Sequence, residues 1–365
     1  MHGTVPLARR NLMADPRRLV ASAGAVGLAI MLILLLDGLW AGIKANVTTY
    51  EDNVGADLYV AQPGTRNFYG AISVIPSSTV EVVAADPDVD WAVPVRAFFS
   101  IIELHTKKIA TFVVGSLPGD RGGAWDVSNG RVPVDDDEVA IGTVLAKRHG
   151  LAIGDTIDIM GRRFTIVGTT ADAFMASFAF MSHTATDALL SAPGTTSFVL
   201  VGTDRPDAVR ARLDAAGYSV LDRDELATND LALVARAYGV PLRVMIGVAF
   251  AIGSLVIALA SYTAIAERSR EYGIVKAIGA GGRYLLLLAL QQTLMIATVG
   301  LAAGGLLFLA GRALITSVRP QFVVVATSGG VARAVGAALL MGAVAAVIPA
   351  RRLARLAPAT AYRGG

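Results

Sequence analysis

The residue types that do chemistry are few in this chain and poorly spaced for it. The four histidines stand at positions 2, 105, 149 and 183, no two of them at a metal-ligand interval, and neither HExxH nor GxSxG occurs. They read as surface or packed histidines. Asp135, Asp136, Asp137 and Glu138 set four carboxylates in a row, the donor type of a calcium site, but no glycine and distal glutamate complete a calcium loop. That run reads as a solvated turn leading into a strand. Cysteine is absent, which removes thiol nucleophiles, disulfides and Cys-ligated zinc or iron–sulfur centres. GxxxxGK[ST] is missing too, and the glycine-rich GAGGR at 279–283 lacks the lysine and hydroxyl that would hold phosphate and magnesium. The chain is therefore expected to bind no cofactor or metal, to have no catalytic residue and not to hydrolyse ATP on its own.

The most informative stretch is ERSREYGIVKAIGA at 267–280. Its first half is charged, through Glu267, Arg268, Arg270 and Glu271. Ile274, Val275 and Ile278 then fall at i, i+1 and i+4, with Lys276 between them and Gly273 and Gly279 as bounds. On a short helix this makes one apolar stripe. Such a helix can dock on a partner or lie on lipid, and the pattern alone leaves both open.

The elements that position this stretch are membrane spans. Of 365 residues, 54% are apolar and 17% charged, and the mean hydropathy is +0.57, against about 25% charged in an ordinary soluble domain. Four segments suffice to cross about 30 Å of hydrocarbon: 19–40, whose uncharged run ends at Asp37, then 244–266, 284–311 and 331–350. Arg333 stands near one end of the last, where its side chain can snorkel to the interface. A signal peptide is the rival reading of the first span, but 18 apolar residues exceed the usual h-region of about 7–15 and no small-x-small cleavage site follows. An uncleaved anchor is expected.

Loop charge sets the orientation. Arg9, Arg10, Arg17 and Arg18 precede the first span; Arg268, Arg270, Lys276 and Arg283 lie in the loop 267–283; and Arg351, Arg352, Arg355 and Arg363 fill the tail 351–365. These three segments, with the amphipathic lead-in 1–18, are placed in the cytoplasm, so both termini lie inside and the loop 312–330 outside. Residues 44–241 are then exported. They hold 25 of the 29 acidic residues but 16 of the 32 basic ones, a net charge of −9. The pI near 9.2 averages two opposite halves, and the basic surplus is accounted for by topology and anionic lipid rather than nucleic acid.

Within 44–241 the periodicity changes to short strands broken by Gly, Pro and Asp. Residues 57–64 read as strand and turn, 138–142 as a strand, 143–149 as a short helix, 157–169 as a hairpin, 197–201 as a strand and 206–216 as a helix burying Val209 and Leu213. This predicts an α+β domain with one core or two small ones, any division falling near 95–130. In the third span Gln291, Gln292 and Thr293 predict a helix–helix hydrogen bond, and Gly300 and Gly304 form a GxxxG on which another helix can pack. Whether that helix belongs to this chain or to a second copy is open.

The loop 267–280 resembles the cytoplasmic loop of the FtsX/MacB/LolC family of ABC-transporter permeases. Three further stretches are similar to that family in order and spacing: LARRNLMADPRRLV at 7–20, EVAIGTVLAKRHGLAIGDTIDIMGRRFTIVG at 138–168 and IPARRLARLAPATAYR at 348–363. The resemblance covers the whole chain. It implies a membrane α-helical protein of four transmembrane helices, with a large extracytoplasmic α+β, MacB-like core domain inserted between helices 1 and 2, assembled as a dimer with an identical or homologous permease. It also implies two copies of a separate ABC ATPase subunit, which would bind the ATP and magnesium and grip the loop through Glu267, Arg268, Arg270, Glu271, Gly273, Ile274, Val275, Lys276, Ile278 and Gly279. The implied work is mechanotransmission across the bacterial cytoplasmic membrane, moving a hydrophobic or envelope substrate such as a lipoprotein, lipid or drug-like compound, with an adaptor, lipoprotein or hydrolase as a possible outer partner. The alternative is an FtsX-like regulator that activates an extracytoplasmic cell-wall hydrolase.

Overall fold

The computed structural model describes residues 16–70, 73–104, 107–119, 121–172, 178–267, 270, 274, 276, 281–318 and 322–355. The chain divides into two compact units, one of residues Met1–Gly42 and Gly239–Gly365 and the other of Ile43–Tyr238. In order the elements are α1 (Pro16–Val47), α2 (Thr49–Val54), β1 (Leu58–Ala61), β2 (Ile75–Pro76), α3 (Thr79–Ala84), β3 (Trp91–Leu104), β4 (Lys107–Ser116), β5 (Asn129–Gly130), β6 (Glu138–Gly142), α4 (Thr143–His149), β7 (Thr156–Ile159) and β8 (Arg162–Thr170). There follow β9 (Phe178–Ser182), α5 (His183–Leu190), β10 (Thr195–Thr196), β11 (Phe198–Gly202), α6 (Pro206–Ala215), β12 (Ser219–Asp222), α7 (Arg223–Val234), a π-helical turn (Ala235–Gly239), α8 (Val240–Glu267), α9 (Gly282–Val318), α10 (Ser328–Ala345) and α11 (Val347–Arg355).

Among the described residues four helical runs are long and apolar enough to cross a membrane: Val20–Val47, Arg223–Glu267, Leu286–Val318 and Ser328–Arg351. These are the four expected spans, each helical beyond its apolar core because capping groups rather than hydropathy end a helix. Asp222 starts the second run by accepting from the Glu225 amide at 2.7 Å, and Thr327 starts the fourth by accepting from Gly330 at 2.9 Å. One boundary differs from expectation. The fourth span, read as unbroken over 331–350, turns at Ala346 between α10 and α11, because Pro349 in the next turn has no N–H to return to the ladder.

The helical unit packs around Val26, Ile30, Ile33, Ile257, Ile296, Phe308 and Met341. Its contacts are close because glycines stand at the crossings. A Cβ on Gly304 would lie 2.8 Å from the Gly27 carbonyl oxygen, and one on Gly300 would lie 2.5 Å from Val26 Cγ1. Residues 322–327, which are not helical, run against α1: the Val325 amide donates to the Gly38 carbonyl at 3.0 Å, and a Cβ on Gly42 would come within 1.7 Å of the Val323 carbonyl oxygen. Only glycine allows that approach.

The second unit is built on a ten-stranded sheet ordered β12-β1-β11-β3-β4-β9-β6-β8-β5, with β7 paired to both β3 and β8. Because β7 joins those two, β3, β4, β9, β6, β8 and β7 close into a small barrel. It encloses Phe98, Ile102, Val113, Ile141, Ile157, Ile159, Phe164 and Ile166. A second core lies on β12, β1 and β11 and is covered by α3 and α6: Leu58, Val60, Val83, Val199, Val201, Val209, Leu213 and Val220. Beside a buried ring cluster of Tyr50, Phe68, Tyr69, Phe112, Phe178 and Phe180, the described residues thus form two aliphatic cores, and the division between these two falls along a strand rather than in a loop. The N-terminal half of β3 pairs with β11 through Val95↔Phe198, and its C-terminal half pairs with β7 through Ile102↔Ile159. The predicted hairpin turns at Met160 and Gly161, with φ of 54° and 80°, the primed geometry that matches strand twist.

Candidate functional site

The stretch singled out by pattern begins where α8 ends. Ile265 on α8 packs with Leu288 and Ala289 on α9, with Ala350 of α11 against them, so the two ends of the segment are drawn together by a small apolar cluster. The Tyr284 amide donates to the Gly281 carbonyl at 3.1 Å at the start of α9. Between these anchors Arg270, Ile274 and Lys276 are helical. Arg270 and Ile274, four apart and hence on one face, are exposed, Ile274 to 46%. Glu267 is exposed and Lys276 half-buried. Arg268, Glu271, Gly273, Val275, Ile278 and Gly279 lie outside the described residues. An exposed isoleucine thus stands four residues from an exposed arginine beyond the end of α8.

Gly300 and Gly304 form their close contact within the chain, on α1 at Val26, Gly27 and Ile30. Sequence left the partner open because a small-residue surface does not name what covers it. The hydrogen bond expected across helices from 291–293 takes a different form. The Thr293 hydroxyl turns to its own helix, 3.2 Å from the Ala289 carbonyl and 3.0 Å from that of Leu290, as Thr does when the preceding turn offers the nearest acceptor. Gln291 is exposed, and the amide of Gln292, 1% exposed, has no partner among the described residues.

Sequence reasoning missed a pairing in the membrane unit. Arg333 Nε donates to Asp37 Oδ1 at 2.9 Å and Nη2 to Oδ2 at 2.8 Å. Each had been read as a lone charge near a span end. Here the carboxylate is 14% exposed and the guanidinium 63%, so the acid is sheltered under an arginine that reaches the interface. The signal available was only that Asp37 is the one acid of α1 and Arg333 the one charged residue of α10.

In the sheet unit the titratable groups are structural. Glu138, last of the acidic run, is buried, receives Arg131 Nη1 at 2.6 Å and the Val134 amide at 3.0 Å, and is held down to about 2 chiefly by the Arg131 hydrogen bond. Asp135, Asp136 and Asp137 are exposed. Among the described residues no cluster of metal-ligating side chains occurs. Arg96 is buried and binds Asp187 at 2.7 Å. His183 Nε2 lies 3.2 Å from the Thr196 hydroxyl, and burial holds its imidazole below the usual value. His149 is half-buried; His2 and His105 lie outside the described residues. Among the described residues the buried carboxyl with no partner from another residue is Glu51 on α2, 1% exposed and pushed up to about 8 by burial.

Against this geometry the comparisons with known proteins agree along the whole chain. Residues 19–216 match the MacB-like periplasmic core domain and residues 243–358 the FtsX-like permease C-terminal family. An uncharacterized ABC transporter permease of Mycobacterium tuberculosis is 27% identical over 98% of this chain and 99% of its own length. A macrolide export ATP-binding/permease protein, MacB of Brucella abortus, is 23% identical over 98% of this chain and 59% of its own. Among solved structures, the periplasmic region of MacB from Actinobacillus actinomycetemcomitans aligns with 48% of this chain and 92% of its own, at 12% identity and a TM-score of 0.38.

Proposed function

Because this chain belongs to the family of ABC transporter permeases that join a MacB-like periplasmic core domain to an FtsX-like permease domain, we propose that it transmits the conformational change of a separate ATPase to its sheet domain across the bacterial cytoplasmic membrane. The observation that carries this reading is the helical segment after α8, with Arg270 and Ile274 exposed on one face and both ends held by Ile265, Leu288 and Ala289. An element clamped at both ends moves with the helices it joins, so force applied at Ile274 reaches α8 and α9 together. The ATPase supplies ATP, magnesium and chemistry; this chain supplies the lever.

Termini and segment lie in the cytoplasm and the sheet domain outside, following the distribution of Arg and Lys. The cargo is a hydrophobic or envelope molecule, in keeping with relatives named for macrolide and pyoverdine export. The second permease of the dimer docks on a surface other than Gly300 and Gly304, which α1 already covers. The test is Ile274→Asp with Ile278→Asp. Charge buried at a protein contact costs several kcal/mol, so the ATPase should fail to co-purify or should lose its response to substrate, while the sheet domain stays folded. Co-purification and stimulated hydrolysis at wild-type levels would remove the coupling role. For topology, single cysteines at Asp136 and Ser269 should react oppositely with an impermeant thiol reagent on intact cells, with Asp136 labelled.

A further inference from the structure

At the end of the helical unit where α1 and α9 finish and α10 begins lies a cavity of about 360 Å³ that no step of the coupling mechanism uses. Its walls come from α1 (Leu34), α9 (Leu301, Phe308, Leu309), α10 (Val331, Val335) and the extended residues 325–327. Its volume is about twelve times the roughly 30 Å³ share of a liquid water, yet almost nothing in the walls could hold water by the two to four hydrogen bonds it needs. Asp37 is the lining's ionisable group. Both its oxygens accept from Arg333 at 2.8–2.9 Å, so no uncompensated charge faces the space and a buried cationic ligand would find no counter-ion there.

The rim has the opposite character. Arg333 is 63% exposed while holding Asp37. Its pair uses Nε and Nη2, which leaves Nη1 outside the pair. Arg312, three residues beyond Leu309 on α9, is exposed as well. Arginines at the end of a membrane helix sit where phosphate headgroups lie, and a guanidinium recognises a phosphate through charge-assisted N–H donors. An uncharged apolar space below, and above it a rim whose net positive charge comes from Arg312 while Arg333 adds a donor outside its pair, match a molecule with a hydrocarbon tail and an anionic head.

We propose that this cavity is a binding site for one acyl chain of an anionic glycerophospholipid, the chain lying between α1, α9 and α10 and the phosphate on Arg333. The site needs only that the helices stand in a bilayer, and it is independent of the coupling role. A lipid seated here touches three helices and the segment that crosses Gly38 and Gly42, so it fills the gap that the non-helical residues 322–327 leave in the bundle.

Gly305 makes the site testable. It lines the cavity, and a Cβ added there meets nothing within 4 Å, so Gly305→Phe fills the space without forcing the helices apart. The full-length protein, purified in mild detergent, is given phosphatidylglycerol or phosphatidylcholine at equal concentration, and retained lipid is counted by native mass spectrometry. The wild type should keep one phosphatidylglycerol per chain and prefer it to phosphatidylcholine about tenfold. Gly305→Phe should lose that lipid, with thermal unfolding unchanged as the check on folding. The double variant Asp37→Asn with Arg333→Gln, which removes the pair without stranding an acid, should still take a lipid but bring the headgroup preference to near parity. Equal retention by Gly305→Phe and wild type would overturn the site. So would a wild type that holds no lipid and a Gly305→Phe variant that changes from dimer to monomer, since a second copy would then be the occupant.

Discussion

The helical unit and the sheet unit reach close packing by opposite means. In the first, side chains are removed: Gly300 and Gly304 admit α1 and Gly42 admits a carbonyl oxygen. In the second, large side chains are added: Phe68 stacks on Tyr50 at 4.5 Å and meets Phe198 at 5.1 Å, and Tyr69 meets Phe112 at 4.9 Å. Apart from the Arg333–Asp37 pair between α10 and α1, polar groups follow the same divide. Thr263, Thr298 and Thr316 return their hydroxyls to carbonyls of their own helices at 2.8–2.9 Å, whereas Arg96, Asp187, Glu138 and Arg131 cross between elements. Between helices in lipid no hydrophobic effect rewards bulk, so close van der Waals contact decides; in water apolar burial decides, and aromatic area is its largest unit.

The sharpest way to break this comparison is to add a side chain where the helical unit has none. Gly42→Leu drives a Cβ toward the Val323 carbonyl, which would otherwise lie 1.7 Å from it. The crossing segment must leave α1, and the hydrogen bond from Val325 to Gly38 goes with it. The expected cost is about 3 kcal/mol, at the upper end for overpacking and beyond the roughly 1 kcal/mol that leucine gains over glycine in a helix. Thermal unfolding of the full-length protein in detergent reads it, with Gly305→Leu as the neighbouring control that should change little. Equal melting of the two variants would show that the crossing is not a packing contact.

These contacts mark what the sequence could show. Strand β6, helix α4 and the β7–β8 hairpin were legible because period and propensity act over short stretches of chain. The lone charges Asp37 and Arg333 were visible but not their pairing, which joins positions 296 apart. GxxxG announced close packing without naming α1. The two cores were hidden because β3 belongs to both, and a shared strand leaves no change of composition at the division. In the segment 267–280 the apolar spacing and the family likeness were legible at Ile274, but the packing of Ile265 on Leu288 and Ala289 was not. Glu51 gave no signal at all: it stands next to exposed Asp52 in a short polar helix, and only the fold decides which of two adjacent acids is buried.

Glu51 sharpens the comparison inside the sheet unit, where this acid is buried with no partner from another residue. Burial raises its carboxyl from 4.5 to about 8; Asp230 and Asp52 add to the shift, and Arg223 opposes it. The folded state thus holds a proton that the unfolded state releases. Its stabilising effect is complete below about pH 4.5 and is lost as pH rises toward 8. Asp230, raised to about 6 by burial, acts in the same direction. Glu51→Gln keeps the shape and removes the titration. Relative to wild type it should gain on the order of 2 kcal/mol between pH 5 and pH 8, less than the full shift implies because water reaches a strained carboxylate. Denaturant unfolding followed by Trp125 fluorescence at the two pH values gives the difference, and a gap that does not widen with pH would mean that Glu51 is solvated.

The smallest effect belongs to the acid that is buried with its donors. Glu138 is held down to about 2, first by Arg131 and then by the Val134 and Asp135 amides, so its sign is the reverse of Glu51. The unfolded state binds the proton more readily than the folded one. The stabilising effect is therefore present above about pH 4.5 and disappears as pH falls through about 2. Glu138→Gln keeps one amide oxygen for the backbone donors and loses the charge opposite a guanidinium that is half exposed. Screening by water limits such a pair to about 1 kcal/mol. The variant should then be less stable than wild type by that amount at pH 7 and equal to it near pH 2, in the same unfolding measurement. Together with Glu51→Gln it makes two lines of opposite slope, one acid favouring the folded state only when protonated and its neighbour in sequence space only when charged. Parallel lines would mean that the Arg131 pair does not form in solution, and that the connection from β5 to β6 is held by its backbone hydrogen bonds alone.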